Sequence, residues 1–144
     1  MVEQDTVKLL RECDAGIKMG IASIGEVLEY THADSLRQRL TTCMSEHEAL
    51  RRETERLLDN CHDNGKEPNP MAKGMSWIKT NARLAVDGSD AAIADLVTDG
   101  CNMGVKSLHR YLNQYKAADK RSKDLTKRLI GLEETLAADI RPFL

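Results

Sequence analysis

Two apolar stripes in the first half of the chain match each other in reverse order. Each follows the three- and four-residue spacing of a helix face, and the numbers of every facing pair add to 64. Antiparallel helices joined by a tight turn produce such a constant sum, so the pattern predicts a helical hairpin with one apolar seam. The facing pairs are Val7 with Leu57, Leu10 with Thr54, Asp14 with Leu50, Ile17 with His47, Ile21 with Cys43, Ile24 with Leu40 and Leu28 with Leu36.

The C-terminal part of the chain repeats this arrangement with a different sum. Its facing pairs add to 236 or 237 and run from Ile93 with Phe143 to Tyr111 with Leu125, through Gly104 with Leu132. Two hairpins that each carry one apolar seam bury those seams against each other. We therefore predict an all-α four-helix bundle that forms a single domain over residues 1–144. Its expected core includes Leu40, Leu50, Leu129, Leu132 and Leu136.

Capping and helix-breaking residues divide the chain into five predicted helices. The first covers residues 4–30, and the second runs from a Thr31–Asp34 capping box to residue 60. The other three cover residues 71–86, 90–116 and 119–142. The short third helix joins the two hairpins. We favour a crossover along the bundle, the connection found in ferritin-like folds. The alternative is an up-down-up-down bundle with the short helix packed at one end.

Composition narrows the functional classes. With 21 basic and 23 acidic residues the net charge is −2, which gives no electrostatic reason to expect a nucleic-acid partner. No apolar run is long enough to span a membrane, and the acidic, polar N-terminus does not match a secretory signal. We therefore expect a cytoplasmic protein, with its four cysteines reduced.

Three short motifs occur in order along the chain. They are Cys13-Asp14-Ala15-Gly16, Glu46-His47-Glu48-Ala49-Leu50 followed by Glu53, and Gly88-Ser89-Asp90-Ala91-Ala92. With them the chain resembles a bacterial ferritin-like family known only as a domain of unknown function. The resemblance implies a ferritin-like fold but no activity. Cys101 stands where relatives tend to have a Glu, which weakens any transfer of a carboxylate site.

A standard di-iron centre does not fit the sequence. Such a centre takes a Glu-x-x-His pair from each of two helices. The chain offers Glu29-x-x-His32 and Asp59-x-x-His62, which the hairpin register places at opposite ends. No cofactor is predicted, although a metal ion at another site stays an alternative.

Polar residues interrupt the predicted seams in one region. Asp14 and His47 occupy adjacent layers, and the crossover would bring Gly104 near His47, where Gly100 and Gly104 leave room for a bulky group. One interpretation is a metal or small-ligand pocket held by Asp14 and His47 with Glu46 or Asp99. The other is a buried hydrogen bond between Asp14 and His47. Both GxxxG motifs, at residues 16–20 and 100–104, are interpreted as sites of close helix approach.

Three functions remain open. We expect a non-catalytic binding, scaffold or stress-related protein that forms homo-oligomers. The first alternative is a metal-binding protein or oxidoreductase with a non-standard site. The second is a helical sensor or adaptor that presents a groove to a partner helix. An exposed apolar patch on residues 71–86 would favour it, since Met71, Met75, Trp77 and Ile78 are more apolar than a covering helix needs.

Overall fold

A computed structural model describes residues 3–63 and 89–144 of the chain. It is helical over 85% of the described residues, and these contain no strand. The predicted all-α class is therefore confirmed for this part of the chain. The predicted helix at 71–86 lies outside the described residues. The helices are α1 (Gln4–Leu28), α2 (Asp34–Asn60), α3 (Asp90–Gln114) and α4 (Lys120–Asp139), followed by a short 3-10 helix, Arg141–Phe143.

The start of α2 differs from the predicted capping box. Its N-cap is Ala33, which makes no side-chain capping bond. The Thr31 hydroxyl instead donates to the Val27 carbonyl oxygen (2.9 Å), back into α1. Asp90 takes over the role of the cap, since its two carboxylate oxygens accept the backbone N–H groups of His32 and Ala33, each at 2.8 Å. A residue distant in sequence thus satisfies N–H groups that the local motif was expected to satisfy.

The loop between α3 and α4 is held in the same way from the start of α1. Asp5 accepts the backbone N–H of Ala117 (3.0 Å), and the Thr6 hydroxyl accepts that of Asp119 (2.9 Å). The Asp119 carboxylate in turn caps α4 by accepting the Ser122 N–H at 2.8 Å. Each hairpin loop is therefore bound by the first turn of the other hairpin.

These contacts fix the direction of every helix. Helices α1 and α4 begin at one end of the bundle, and α2 and α3 begin at the other, so α2 runs parallel to α3. Asp63, just after α2, lies 3.8 Å from the Arg11 side chain in the first half of α1. Asp63 and Ser89 consequently lie at opposite ends of the bundle.

The bundle core consists of two apolar clusters, one toward each end. Of the five predicted core residues, Leu40, Leu50, Leu129 and Leu136 are buried. Leu132 is only partly buried, so its prediction as a core residue was wrong. The cluster where α2 and α3 begin contains Ile24, Val27, Leu36, Leu40, Cys43, Ile93, Leu96, Val97, Cys101, Leu136 and Ile140. The other contains Leu9, Cys13, Ile17, Leu50, Leu108, Ala118, Leu125, Leu129 and Ile130.

Within the described ranges, no helix is both long and apolar enough to cross a membrane.

Candidate functional site

One layer of the bundle lies between the two apolar clusters. None of the four residues at its centre has a large apolar side chain. Each helix contributes one residue to it: Gly20 from α1, His47 from α2, Gly104 from α3 and Glu133 from α4. A Cβ atom added to Gly20 would lie 3.0 Å from His47, and one added to Gly104 would lie 3.6 Å from Glu133. The two glycines therefore face the two polar side chains, and we call these four residues the central layer.

The His47 ring is fixed by hydrogen bonds from both of its nitrogens. Nδ1 lies 2.8 Å from the backbone carbonyl oxygen of Cys43, one turn earlier in α2. Nε2 lies 3.0 Å from Glu133 Oε1 across the bundle. A carbonyl oxygen and an ionised carboxylate can only accept, so with Glu133 ionised both ring nitrogens carry a proton and the ring is an imidazolium. The layer thus holds a His47–Glu133 ion pair.

The electrostatics agree with this protonation state. Burial alone lowers the pKa of His47, but hydrogen bonds with Cys43 and Glu133, together with the negative charge of Glu133, outweigh it and raise the pKa to about 10. The ring is only 1% exposed, whereas the Glu133 side chain is 15% exposed. The carboxylate is therefore the more accessible member of the pair.

Glu133 was absent from the sequence prediction, which placed Leu132 opposite Gly104. The strict alternation of three- and four-residue steps along α4 passes through residues 122, 126, 129, 133, 136 and 140. The predicted stripe through residues 125, 129, 132 and 136 alternates equally strictly, so spacing alone does not choose between Leu132 and Glu133. The predicted register of 236 or 237 also allows Glu133 opposite Gly104, and the apolar residue was preferred.

Two cysteines, Cys43 and Cys101, lie beside the ion pair. Cys43 Sγ lies 3.5 Å from His47 Nδ1. Burial, the charge of Glu133 and a hydrogen bond to it all raise the pKa of Cys101. A thiol with a raised pKa is a poor nucleophile near neutral pH. All four cysteines of the chain are free, including Cys13, whose Sγ lies 3.1 Å from the Thr126 hydroxyl.

A cavity of about 300 Å³ opens on the central layer between α1 and α3. Small residues from both helices form its walls, and His47 and Glu133 lie on its floor beside Cys101. The predicted space beside Gly100 and Gly104 is therefore present. The GxxxG motifs were expected at sites of close helix approach, and Gly20 fits this, because a Cβ there would lie 3.0 Å from His47. The four glycines of the two motifs also line the cavity. The small wall residues are Ala15, Gly16, Gly20, Ser23, Gly100, Gly104 and Ser107.

The structure brings only one of the four candidate metal ligands to this cavity. His47 lines it, but Asp14 does not, and the two do not bond each other. Asp14 is 1% exposed and its Oδ2 forms a 2.8 Å ion pair with Lys18 Nζ, one turn later in α1. The predicted Asp14–His47 hydrogen bond is replaced by these separate pairings.

Glu46 and Asp99 are exposed. Each is the immediate neighbour of a layer or wall position, and adjacent residues of a helix point about 100° apart. In the described ranges, no three His, Cys, Asp or Glu side chains are grouped so that they could hold a metal ion. A site built from Asp14, His47, Glu46 and Asp99 stays a prediction from sequence.

Comparisons with known proteins identify no relative of this chain: no family model, no curated protein and no solved structure matches it.

Proposed function

We propose that this protein is a non-catalytic, ferritin-like helical bundle that binds a small, mainly apolar molecule in the central cavity. The observation that carries the proposal is the central layer, where two glycines face a buried ion pair at the floor of a cavity of about 300 Å³. This volume is at the lower end of the range for small-molecule sites. The parallel direction of α2 and α3 supports the ferritin-like arrangement.

The composition of the layer argues for binding over simple packing. A glycine inside a helix costs about 1 kcal/mol relative to alanine, and a cavity in a core costs further stability. Gly104 lies in a helix interior, and a Cβ there would meet Glu133 at an ordinary contact distance. A larger residue at Gly104 would close part of this space, so this position gives up helix stability while it keeps room for a ligand. Gly20 differs, because a Cβ there would already press on the His47 ring.

The same geometry favours binding over catalysis. His47 uses both ring N–H groups in hydrogen bonds with Cys43 and Glu133. An imidazolium held in this way has no free nitrogen to accept a proton from a substrate. The raised pKa of Cys101 keeps its thiol protonated. Neither His47 nor Cys101 is therefore arranged for proton transfer or nucleophilic attack, which supports a binding role over a catalytic one.

Fluorescence titration with N-phenyl-1-naphthylamine, a neutral apolar probe, tests the proposal. We expect saturable binding with one probe per chain. Gly16 lines the cavity, and a Cβ there would meet no atom within 4 Å, so Gly16→Leu fills the cavity without a clash at the backbone. This variant should lose most of the probe binding.

Gly25→Leu is the matched control. Gly25 lies in the same helix and is equally open, but it does not line the cavity, so this variant should bind the probe like the unmodified protein. Absence of saturable binding, or an equal loss in both variants, would contradict the proposal.

A further inference from the structure

The cavity is long and narrow and follows the faces of two helices. Its walls are stripes of residues at three- and four-residue spacing, from Glu12 to Val27 on α1 and from Leu96 to Tyr111 on α3. At about 1.5 Å per residue, each stripe is up to about 22 Å long. A sphere with the cavity volume of about 300 Å³ would be only about 8 Å across. The space is therefore drawn out along the helix axes.

The two halves of the cavity are joined through its middle. Helices α1 and α3 run in opposite directions and share the central layer at Gly20 and Gly104, so lining residues equally far from that layer lie opposite each other. The three pairs nearest the layer contain only glycine and serine: Gly16 with Ser107, Gly20 with Gly104, and Ser23 with Gly100. Such small residues leave an open path from one half of the cavity to the other.

The floor of the cavity is apolar on both sides of the ion pair. Leu129 lies one turn of α4 before Glu133, Leu136 lies one turn after it, and both leucines line the cavity. The Glu133 carboxylate already bonds His47 and the Cys101 thiol, so its hydrogen-bonding needs are met within the protein. An aliphatic chain can therefore pass over the central layer without supplying a polar group, and it contacts leucine on either side.

We infer that the ligand of this cavity is a single unbranched aliphatic chain that lies lengthwise between α1 and α3. The inference rests on the proposed binding function and specifies its ligand class. Such a chain fits a long apolar space with an open middle, whereas a compact ring system fills one half only. Each buried methylene group should tighten binding about fourfold, so affinity depends on how much of the length a ligand reaches.

Four neutral alcohols test the ligand class by isothermal titration calorimetry on the full chain: 1-hexanol, 1-octanol, 1-decanol and decahydro-2-naphthol. Because none of them is charged, their affinities report length and shape. We expect affinity to rise about fourfold per methylene group from 1-hexanol to 1-decanol. Decahydro-2-naphthol has as many carbon atoms as 1-decanol but is compact. After correction for octanol–water partition, it should bind about tenfold more weakly than 1-decanol.

Blocking either half of the cavity tests the lengthwise orientation. Gly16 lines the cavity on one side of the central layer and Ser23 lines it on the other, so Gly16→Leu and Ser23→Leu each fill one half. Each variant alone should weaken the binding of 1-decanol about tenfold or more, because several methylene groups lose their contacts. 1-Hexanol should keep most of its affinity in both variants, because it can occupy the open half.

Gly25→Leu and Ser45→Leu are the matched controls. Neither Gly25 nor Ser45 lines the cavity, and Ser45 is exposed on α2. Both variants should bind all four alcohols like the unmodified protein.

The outcomes separate the ligand class from the function. Affinity that stops rising before 1-decanol, or equal corrected affinities for 1-decanol and decahydro-2-naphthol, would overturn the inference. Loss of 1-decanol binding in only one of the two blocked variants would also overturn it. In each case the binding function stands if N-phenyl-1-naphthylamine binds as expected. Failure of all four alcohols and of that probe would overturn both. The alcohols on the unmodified protein decide the inference even if a blocked variant does not fold.

Discussion

The ends of the bundle and its central layer solve the packing problem in different ways. Both ends fill their interior with leucine, isoleucine and valine side chains from all four helices. The central layer instead sets a His47–Glu133 ion pair against two glycines. Burying an ion pair is seldom better for stability than burying apolar residues of the same volume. The comparison teaches that apolar packing fills both ends of the bundle, whereas a polar pair and two glycines occupy its middle.

The largest expected effect belongs to the apolar ends. Leu129 is 1% exposed, so Leu129→Ala should lower the free energy of unfolding by about 2–5 kcal/mol, the usual cost of a cavity in a packed core. Leu132 lies one turn further along α4 but is only partly buried, and Leu132→Ala should cost less than half as much. Chemical denaturation of both variants measures the difference. Equal losses would mean that Leu132, and not Glu133, faces the core.

The fold was largely predictable from sequence because its signal is spread over many residues. The two hairpins were predicted from many facing pairs, so an error at one pair does not change the predicted fold. Buried residues such as Leu36, Leu40 and Ile140 belong to those pairs. The loops were less predictable. Asp90 binds the loop between α1 and α2 from a distance of more than fifty residues in sequence, and no local motif encodes such a contact.

The site was only half predictable. The helix spacing predicts the layer of the bundle in which a residue lies. It does not predict which side chain that residue hydrogen-bonds or forms an ion pair with. Asp14 and His47 were both correctly placed in the interior, yet Asp14 pairs with Lys18 of its own helix. The i, i+4 spacing of that pair is a local signal that competes with any partner across the bundle. Glu133 was missed because the spacing allows either Leu132 or Glu133 opposite Gly104, and the apolar residue was preferred.

A second prediction concerns the pH dependence of the central layer. The pKa of His47 is about 10 in the folded protein against 6.5 for a free histidine. Between these values the folded state binds one proton more than the unfolded state, so stability falls as pH rises. The stabilisation from the ion pair is fully present below pH 6.5 and is lost as pH approaches 10. The slope should approach about 1.4 kcal/mol per pH unit, the value for one proton.

Denaturation between pH 6.5 and 8.0 keeps the contribution of the thiols small, because these values lie a full unit or more below the ordinary thiol pKa of 9.0. Above that range the raised pKa values of the Cys13 and Cys101 thiols add losses of the same sign. His47→Gln should flatten the slope, and Glu133→Gln should reduce it. An unchanged slope in both variants would show that the imidazolium is not what titrates.

The smallest expected effect compares glycines that differ only in what they face. Gly16 and Gly25 both lie in α1, and a Cβ at either would meet no atom within 4 Å. Gly16→Ala and Gly25→Ala should each raise the free energy of unfolding by up to about 1 kcal/mol, through helix propensity alone.

At Gly20 the same change places a Cβ 3.0 Å from Cδ2 and Nε2 of His47, whose ring is held by hydrogen bonds on both sides. The ring must shift, so Gly20→Ala should show no such gain, and thermal unfolding of the three variants under one condition measures the contrast. A gain at Gly20 equal to that at Gly16 would mean that His47 does not press on α1, and the central layer would then lose the contact that defines it.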